Sequence, residues 1–215
     1  MNNFNFKKNI IFNSNSEIQK FFGLDNIFLE DNSSVEFKGS INIARNISFK
    51  GNCVLENNVQ IYDGSIINST HIGEGSIIRP YSLLNNSNVG KQNIIGPFCF
   101  IRDDTVIGND CIVGSYVEIA RTKLGNKIKI SHQSYIGDAF IADNTIIGAG
   151  AVFCNFDGFG HQKSVVGKNV TIGSGTMIIS PINIGQNSLI AAGSVITNDI
   201  KENSKIIQKR WTIYW

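Results

Sequence analysis

Aliphatic residues recur at every sixth position along most of this 215-residue chain. The repeat is clearest near the C-terminus, where it comprises Val166, Ile172, Ile178, Ile184, Ile190 and Ile196. The same phase continues backwards to Phe37, with five-residue steps at 136–141 and 119–124. A period of six fits neither an α-helix nor a simple strand, so the chain must turn a corner once per hexad.

Three hexads would close one triangular coil of about 18 residues, and successive coils would stack at the parallel strand spacing of about 4.8 Å. We therefore predict an all-β fold, a parallel β-helix of about nine coils over residues 37–200. Residues 1–36 are predicted to form an N-terminal arm or cap, in which Ser16 could begin a short helix that ends at Gly23. Residues 201–215 form a C-terminal tail, and residues 154–164, CNFDGFGHQKS, interrupt the repeat.

Charge and hydropathy exclude several classes of partner. The formal net charge is +2 and 17% of the residues are charged, which gives no long-range field for a nucleic acid or a membrane surface. No apolar run reaches the roughly 20 residues that span a bilayer, and the N-terminus lacks the pattern of a secretory leader. The expected location is the cytoplasm.

The cysteines and histidines do not predict a metal site. Four cysteines lie far apart in the sequence, without a Cys-x-x-Cys pair, and are expected to be buried small hydrophobic residues; they are Cys53, Cys99, Cys111 and Cys154. His71 lies nearly four predicted coils from His132, or about 18 Å along the axis. Zinc ligands lie about 2 Å from the ion, so these two histidines cannot share a metal.

Stacking the hexads brings polar residues together around His132. Ser115 is predicted one coil below His132 and Ala149 one coil above it. Glu118 and Tyr135 should stack at the next corner position, with Arg102 just beyond it. Asn155, at the start of the interrupting loop, lies about one coil further along. An isolated surface histidine on a repetitive scaffold is the other interpretation of His132.

Several stretches resemble a known family in order and spacing: IIGPFCFIRDDTVIG, GSYVEIARTKLG, SHQSYIGDAFIADNTIIGAG, CNFDG, VGKNVTIGSGT, SPINIG and IAAGSVIT. From about Gly39 to Ser204 the chain resembles the acetyltransferase half of the bacterial bifunctional N-acetylglucosamine-1-phosphate uridyltransferase/glucosamine-1-phosphate acetyltransferase. The uridyltransferase half has no counterpart. The resemblance implies a left-handed β-helix of the hexapeptide-repeat acyltransferases and a homotrimer with its sites between subunits.

The resemblance also implies roles for individual residues. His132 matches the catalytic base, and Glu118, Tyr135 and Asn155 match its active-site neighbours. Positions implied to line the groove for acetyl-CoA are Ala149, Ser174 and Ala192, with Lys209 or Arg210 reaching the cofactor from the tail. Arg102 matches an arginine that binds the sugar phosphate. An imidazole can accept the proton of an attacking amine near neutral pH, as amide formation from a thioester requires.

The sequence departs from the family at three acceptor positions. Ala120 and His161 replace lysines, and Ile146 replaces an asparagine. A sugar 1-phosphate would lose charge-assisted contacts there unless Arg121 or Lys123 substitutes. We therefore expect His161, Arg102 and Arg121 to contact a different amino sugar, phosphorylated or nucleotide-linked, for a cell-envelope polysaccharide.

Other interpretations remain at this point. Direct attack on acetyl-CoA is expected because no Ser or Cys is clearly paired with the base, with an acyl-Cys154 intermediate as the alternative. Transfer to a hydroxyl group of a sugar would use the same residues. A non-catalytic binding solenoid would keep the hexads without needing His132 and Asn155, and a metal-dependent hydratase conflicts with the histidine spacing.

Overall fold

The computed structural model describes residues 2–5, 9–22 and 27–207. Within these residues one short helix, α1 (Asn15–Phe22), lies near the N-terminus, and the other regular elements are strands. The strands in chain order are β1 (Asn2–Asn5), β2 (Ile10–Phe12), β3 (Ile27–Leu29), β4 (Ser34–Phe37), β5 (Ser40–Ile43), β6 (Ile47–Lys50), β7 (Asn52–Leu55), β8 (Val59–Ile61), β9 (Ile66–Ile72), β10 (Ile77–Ile78), β11 (Leu83–Val89), β12 (Ile94–Ile95), β13 (Phe100–Arg102), β14 (Thr105–Ile107), β15 (Ile112–Val113), β16 (Glu118–Ala120), β17 (Lys123–Leu124), β18 (Lys129–Ile130), β19 (Tyr135–Gly137), β20 (Ala139–Ile141), β21 (Ile146–Ile147), β22 (Val152–Cys154), β23 (Ser164–Val166), β24 (Thr171–Ile172), β25 (Met177–Ile179), β26 (Asn183–Ile184), β27 (Leu189–Ile190), β28 (Val195–Ile196) and β29 (Lys205–Ile206).

The strands stack in parallel on three faces of a left-handed β-helix. The first face is the ladder β5, β8, β10, β12, β15, β18, β21, β24, β27 and β29. The second face contains β13, β16, β19, β22 and β25, and the third contains β14, β17, β20, β23 and β26. The two long strands β9 and β11 each contribute to both of these faces.

The β-helix has about ten turns, where the repeat predicted about nine. Parallel pairing already begins at β3, where Ile27 pairs with Ile47, and it extends to β29, where Ile206 pairs with Ile190. Both end coils lack regular hexads: 20 residues separate the paired Ile27 and Ile47, and only four separate Ile196 from Ile200. The aliphatic hexad pattern is therefore lost in the two end coils, although their strands still pair with the neighbouring coils.

The aliphatic repeat fills the interior of the coils. On the first face Ile130, Ile147, Ile172 and Ile190 lie in register and are at most 1% exposed. Full burial of one such side chain contributes about 1.5–3 kcal/mol relative to leaving it exposed. Each coil buries this surface only against its neighbours, so stacking holds the fold together.

The corner between the third and first faces is built from residues in the left-handed backbone region. The column comprises Asp110, Lys127, Asn144, Asn169, Asn187 and Asn203, with φ between 56° and 60°. Asn and Asp adopt this region more readily than most residues with a side chain. Asn169 also donates to Asn187 over 3.0 Å, and Asn187 donates to Asn203 over 3.1 Å. The column thus adds side-chain hydrogen bonds to the stacked corners.

Helix α1 covers the N-terminal end of the β-helix. The sequence suggested Ser16 as its cap, but the cap is Ser14, whose Oγ accepts from the Glu17 amide over 3.2 Å. The Glu17 side chain accepts from the backbone amide of Asn13, the residue before the cap, over 3.0 Å. Ile18 and Phe22 of α1 are buried, and the Phe22 ring lies 5.7 Å from that of Phe37. No helix in the described part of the chain is long and apolar enough to cross a membrane.

The cysteines are free thiols at separate places in the fold. Burial raises the pKa of Cys53, and it raises the pKa of Cys99 and of Cys111 to about 11. These three side chains behave as the small hydrophobic residues that the sequence predicted. Cys154 is only partly buried and lies at the end of β22, where the long loop begins.

Candidate active site

His132 is exposed at the corner between the first and second faces, where β18 ends and β19 has not yet begun. Its Nδ1 lies 3.1 Å from Ser115 Oγ, one coil below. Its carbonyl oxygen accepts from the Gly150 amide of the next coil over 2.8 Å. The side chain of His132 is therefore hydrogen-bonded to the coil below, and its backbone carbonyl is hydrogen-bonded to the coil above.

The three predicted groove residues lie in the same column as His132. The Ala149 carbonyl accepts from the Gly175 amide over 2.8 Å, and the Ser174 carbonyl accepts from the Gly193 amide over 2.7 Å. Ala149, Ser174 and Ala192 thus follow His132 coil by coil along one corner. Small side chains at successive coils leave room for an extended ligand beside the histidine.

Tyr135 and Asn155 meet on the second face. Tyr135 pairs in register with Glu118, and Asn155 Nδ2 donates to the Tyr135 hydroxyl over 3.3 Å. Both side chains pass over Gly137: a Cβ atom there would lie 2.3 Å from Asn155 Nδ2 and 2.5 Å from Tyr135 Oη. Only glycine leaves space for this contact.

A buried carboxylate, Asp138, anchors the start of the loop that follows β22. Asn155 Nδ2 donates to Asp138 Oδ2 over 2.5 Å, and the Asp138 carbonyl accepts from the Ser164 amide over 3.1 Å. Burial raises the pKa of Asp138, but hydrogen bonds from Arg121 and Asn155 outweigh it, and the net pKa is lowered. Asp138 therefore stays ionised and holds both ends of the loop.

Arg121 and Arg102 are joined in a network with three carboxylates. Arg121 Nε and Nη2 each donate to Asp138 over 2.9 Å, and Arg121 Nη1 donates to Asp103 Oδ2 over 3.1 Å. Arg102 Nε and Nη2 donate to Glu118 Oε1 over 2.8 and 2.6 Å, and Arg102 Nη1 donates to Asp103 Oδ2.

The carboxylates stabilise both guanidinium ions. Hydrogen bonds to Asp138 raise the pKa of Arg121 well above its usual value. Burial lowers the pKa of Arg102, but the hydrogen bonds and charges of Glu118 and Asp103 outweigh it, and the net pKa is raised. Both arginines carry a full positive charge that is matched by neighbouring carboxylates.

His161 lies in the loop after Asn155. Its Nδ1 is 3.4 Å from Asp138 Oδ2, and its ring packs 5.5 Å from that of Phe156. Asp157 shapes the same loop by accepting from the Phe159 and Gly160 amides over 2.9 Å each. The predicted acceptor residues Arg121, Asn155 and His161 therefore all contact Asp138.

The other predicted positions lie apart from this network or outside the described residues. Ala120 is fully buried between Arg102 and Gly137 of the neighbouring coils. Ile146 is exposed on the first face, on the other side of the corner from Tyr135. Lys209 and Arg210 fall outside the described residues.

Sequence reasoning missed three residues of the site, namely Asp103, Asp138 and Gly137. Gly137 and Asp138 end the stretch YIGD shortly after His132, so the sequence shows that they lie near Tyr135. It does not show which side chains they contact. Asp103 lies in a corner that has one more residue than the same corner in the two coils above. The six-residue step from Ile101 to Ile107, against five-residue steps in those coils, indicates this extra residue in the sequence.

His71 belongs to a different cluster. Its Nε2 lies 3.0 Å from Glu56 Oε1, which also accepts from Lys38 Nζ over 3.2 Å. Within the described ranges, no group of three or more His, Cys, Asp and Glu side chains is placed to hold a metal ion.

Sequence comparisons show similarity to proteins described as bifunctional protein GlmU. It is 36% identical to the bifunctional protein GlmU of Baumannia cicadellinicola over 189 residues, which are 85% of this chain and 40% of that protein. It is 35% identical to the bifunctional protein GlmU of Thermodesulfovibrio yellowstonii over 184 residues, which are 86% of this chain and 36% of that protein. The chain thus spans well under half the length of these relatives.

The family described as "GMPPB C-terminal domain" matches residues 94–182. In structure, LpxA from Acinetobacter baumannii superposes with a TM-score of 0.58 at 17% identity, covering 82% of this chain and 68% of that one. The Arabidopsis UDP-N-acetylglucosamine acyltransferase superposes with a TM-score of 0.54 at 16% identity, covering 84% and 69%. The chain is therefore similar in sequence to part of the bifunctional protein GlmU, and it shares the left-handed β-helix fold of LpxA and of the Arabidopsis acyltransferase.

Proposed function

We propose that the chain is an acetyl-CoA-dependent acetyltransferase that acetylates an amino sugar, with His132 as its general base. The observation that carries the proposal is the position of His132. It is exposed, held by Ser115, and lies in one column with Ala149, Ser174 and Ala192. The similarity to bifunctional protein GlmU supports the same class of reaction.

The proposed reaction is a direct attack of the acceptor amine on the thioester carbonyl. The new C–N bond forms as the C–S bond breaks, the amine proton passes to His132 and from there to the leaving sulfur, and coenzyme A leaves as the thiol. In the tautomer that donates Nδ1–H to Ser115 Oγ, the Nε2 lone pair of His132 is free to take the amine proton. We assign the acceptor side of the site to the Tyr135 hydroxyl and the Asn155 amide, which are hydrogen-bonded to each other.

The complete site is proposed to form between subunits of a homotrimer. His132 is exposed at a corner, so it can face a neighbouring molecule as well as its own second face. A partner would close the groove formed by Ala149, Ser174 and Ala192, which is open on one side of a single β-helix.

The test is a thiol-release assay with acetyl-CoA and a panel of amino sugars, free, phosphorylated and nucleotide-linked. Positioned proton transfer contributes about 10² to 10⁴ in rate, so His132→Ala should lose at least about a hundredfold in kcat. Acetyl-CoA binding to the variant, measured by calorimetry, should persist.

His71→Ala is the matched control. His71 is also partly exposed and hydrogen-bonded, but it lies in the Glu56 cluster several coils away from His132. This variant should keep wild-type turnover. Near-wild-type turnover of His132→Ala on the best acceptor would remove His132 from the mechanism.

A further inference from the structure

Asp103 lies between the two arginines of the acceptor side. Its Oδ2 accepts from Nη1 of Arg102 and from Nη1 of Arg121. The remaining donor edges are taken by Glu118 on Arg102 and by Asp138 on Arg121. Two guanidinium groups therefore face three carboxylates, and each has its Nε and both Nη atoms engaged.

The corner geometry explains how Asp103 reaches both arginines. Two residues, Asp103 and Asp104, separate β13 from β14, with φ of 55° and 58°. The corresponding corner of the next coil is one residue shorter and is formed by Arg121. The step from Ile119 to Leu124 is five residues, whereas the step from Ile101 to Ile107 is six. The extra residue places the Asp103 side chain beneath Arg121, within hydrogen-bond distance of its Nη1.

An arginine recognises a phosphate by presenting two parallel N–H groups to its oxygens. On both Arg102 and Arg121 the Nε and Nη2 pair is bonded to a carboxylate and Nη1 is bonded to Asp103, so a phosphate that uses these groups has to displace a carboxylate. The phosphate would also be repelled by the cluster of Asp103, Glu118 and Asp138, in which three negative charges face two guanidinium groups. The site is thus built against a phosphate at this position.

We propose that Asp103 determines acceptor specificity by occupying the Nη1 groups of Arg102 and Arg121, which would otherwise be open to a phosphate. The acceptor sugar then carries a hydroxyl or amino group, and no phosphate, where it meets Arg102 and Arg121. The proposal deepens the acetyltransferase function proposed above and rests on it for the identity of the acceptor site. Asp103 is a specificity-determining residue that acts through the two guanidinium groups.

Two variants distinguish the effect of the Asp103 charge from the effect of its side chain occupying the arginine N–H groups. Asp103→Asn keeps an acceptor oxygen and loses the charge, while Asp103→Gly removes the side chain and suits the positive φ. Asp104→Asn is the matched control: it removes a neighbouring charge at the same corner and also has positive φ. Asp104 accepts from Asn86 over 2.7 Å, outside the arginine network, and the amide that replaces its carboxylate would keep an acceptor oxygen.

Binding of inorganic phosphate, followed by calorimetry or 31P NMR, is the readout that does not depend on turnover. Removing one partly exposed charge should tighten phosphate binding by about fivefold in Asp103→Asn, with a larger gain in Asp103→Gly. Asp104→Asn should match the wild type. Equal phosphate affinity in all four proteins would overturn the proposal.

The second readout is the ratio of kcat/KM for glucosamine 1-phosphate to that for glucosamine. The wild type should favour the unphosphorylated sugar, and Asp103→Gly should shift the ratio toward the phosphorylated one by about fivefold or more. A wild-type preference for the phosphorylated sugar would contradict the proposal. If no acceptor is acetylated, the proposed function fails while the phosphate measurement still decides the role of Asp103.

Discussion

At the scale of single residues, Asp138 connects more of the site than any residue singled out from the sequence. It is almost fully buried, yet it pairs with Arg121, accepts from Asn155 and lies within 3.4 Å of His161. A buried carboxylate is stable only when such partners compensate for its lost hydration. The side chains of Arg121, Asn155 and His161 are thus gathered around one buried carboxylate.

The lowered pKa of Asp138 predicts an acid-dependent stability difference. A carboxyl group with a lowered folded-state pKa stabilises the protein above its ordinary pKa, near 4, and loses this contribution as pH falls through the folded value. Asp138→Asn should therefore lower the free energy of unfolding at pH 7 by about 1–3 kcal/mol.

Urea unfolding of wild type and Asp138→Asn between pH 7 and pH 3 checks this prediction. The difference in free energy of unfolding between wild type and Asp138→Asn should become smaller as the pH falls below about 4. Asp110→Asn, at an exposed corner, serves as the control and should show little difference at any pH. A constant gap between wild type and Asp138→Asn over the whole range would contradict the assignment.

At the scale of elements, the loop between β22 and β23 is fixed by the coil beneath it. Asn155 at its start reaches Tyr135 and Asp138, and the Ser164 amide at its end donates to the Asp138 carbonyl. The turn is closed internally, since the Gln162 amide donates to the Asn155 carbonyl over 2.7 Å. A loop of this length would otherwise lose much conformational entropy on ordering.

Gly137→Ala should release this loop. The added methyl group would overlap Asn155 Nδ2 and Tyr135 Oη, so one of them must move, at a cost of about 1–3 kcal/mol. We expect faster limited proteolysis within residues 155–163 and a loss of acetyl transfer of about tenfold or more.

Gly160→Ala is the control within the same loop, because a Cβ atom there has no neighbouring atom within 4 Å. Its proteolysis pattern and turnover should follow the wild type. Unchanged proteolysis in Gly137→Ala would show that the Asn155 contact does not hold the loop.

At the scale of the whole molecule, each coil depends on its neighbours, and the β-helix leaves apolar side chains on its outer faces. Exposed examples on the first face are Ile112, Ile146 and Leu189, each 41–43% exposed. Lys129 and Thr171 alternate with these residues in the same ladder. A trimer contact on this face, if the proposed trimer uses it, would bury a mixed apolar and polar surface.

Sedimentation equilibrium should give a mass of about three times the 23.6 kDa chain, independent of loading concentration. A concentration-independent mass of one chain would contradict the proposed trimer. In that case the groove of Ala149, Ser174 and Ala192 would have to bind acetyl-CoA within a single subunit.

The sequence by itself determined the β-helix and the stacking around His132. Its hexads specify which side chains are buried, and because each coil has nearly the same length, position in the hexad also specifies which residues stack. That arithmetic places Ser115 below His132 and Tyr135 over Glu118, as the structure has them.

Only the tertiary structure decided how the polar side chains pair. Whether Arg121 meets a phosphate or Asp103 depends on one extra residue in a corner of the coil below and on the direction of each side chain. Likewise, the contact of Asn155 with Tyr135 depends on the missing side chain of Gly137 and on a loop that leaves the repeat. Periodicity sets the backbone register, but the geometry of irregular corners and loops sets the hydrogen bonds, and these involve residues 16 to 20 positions apart.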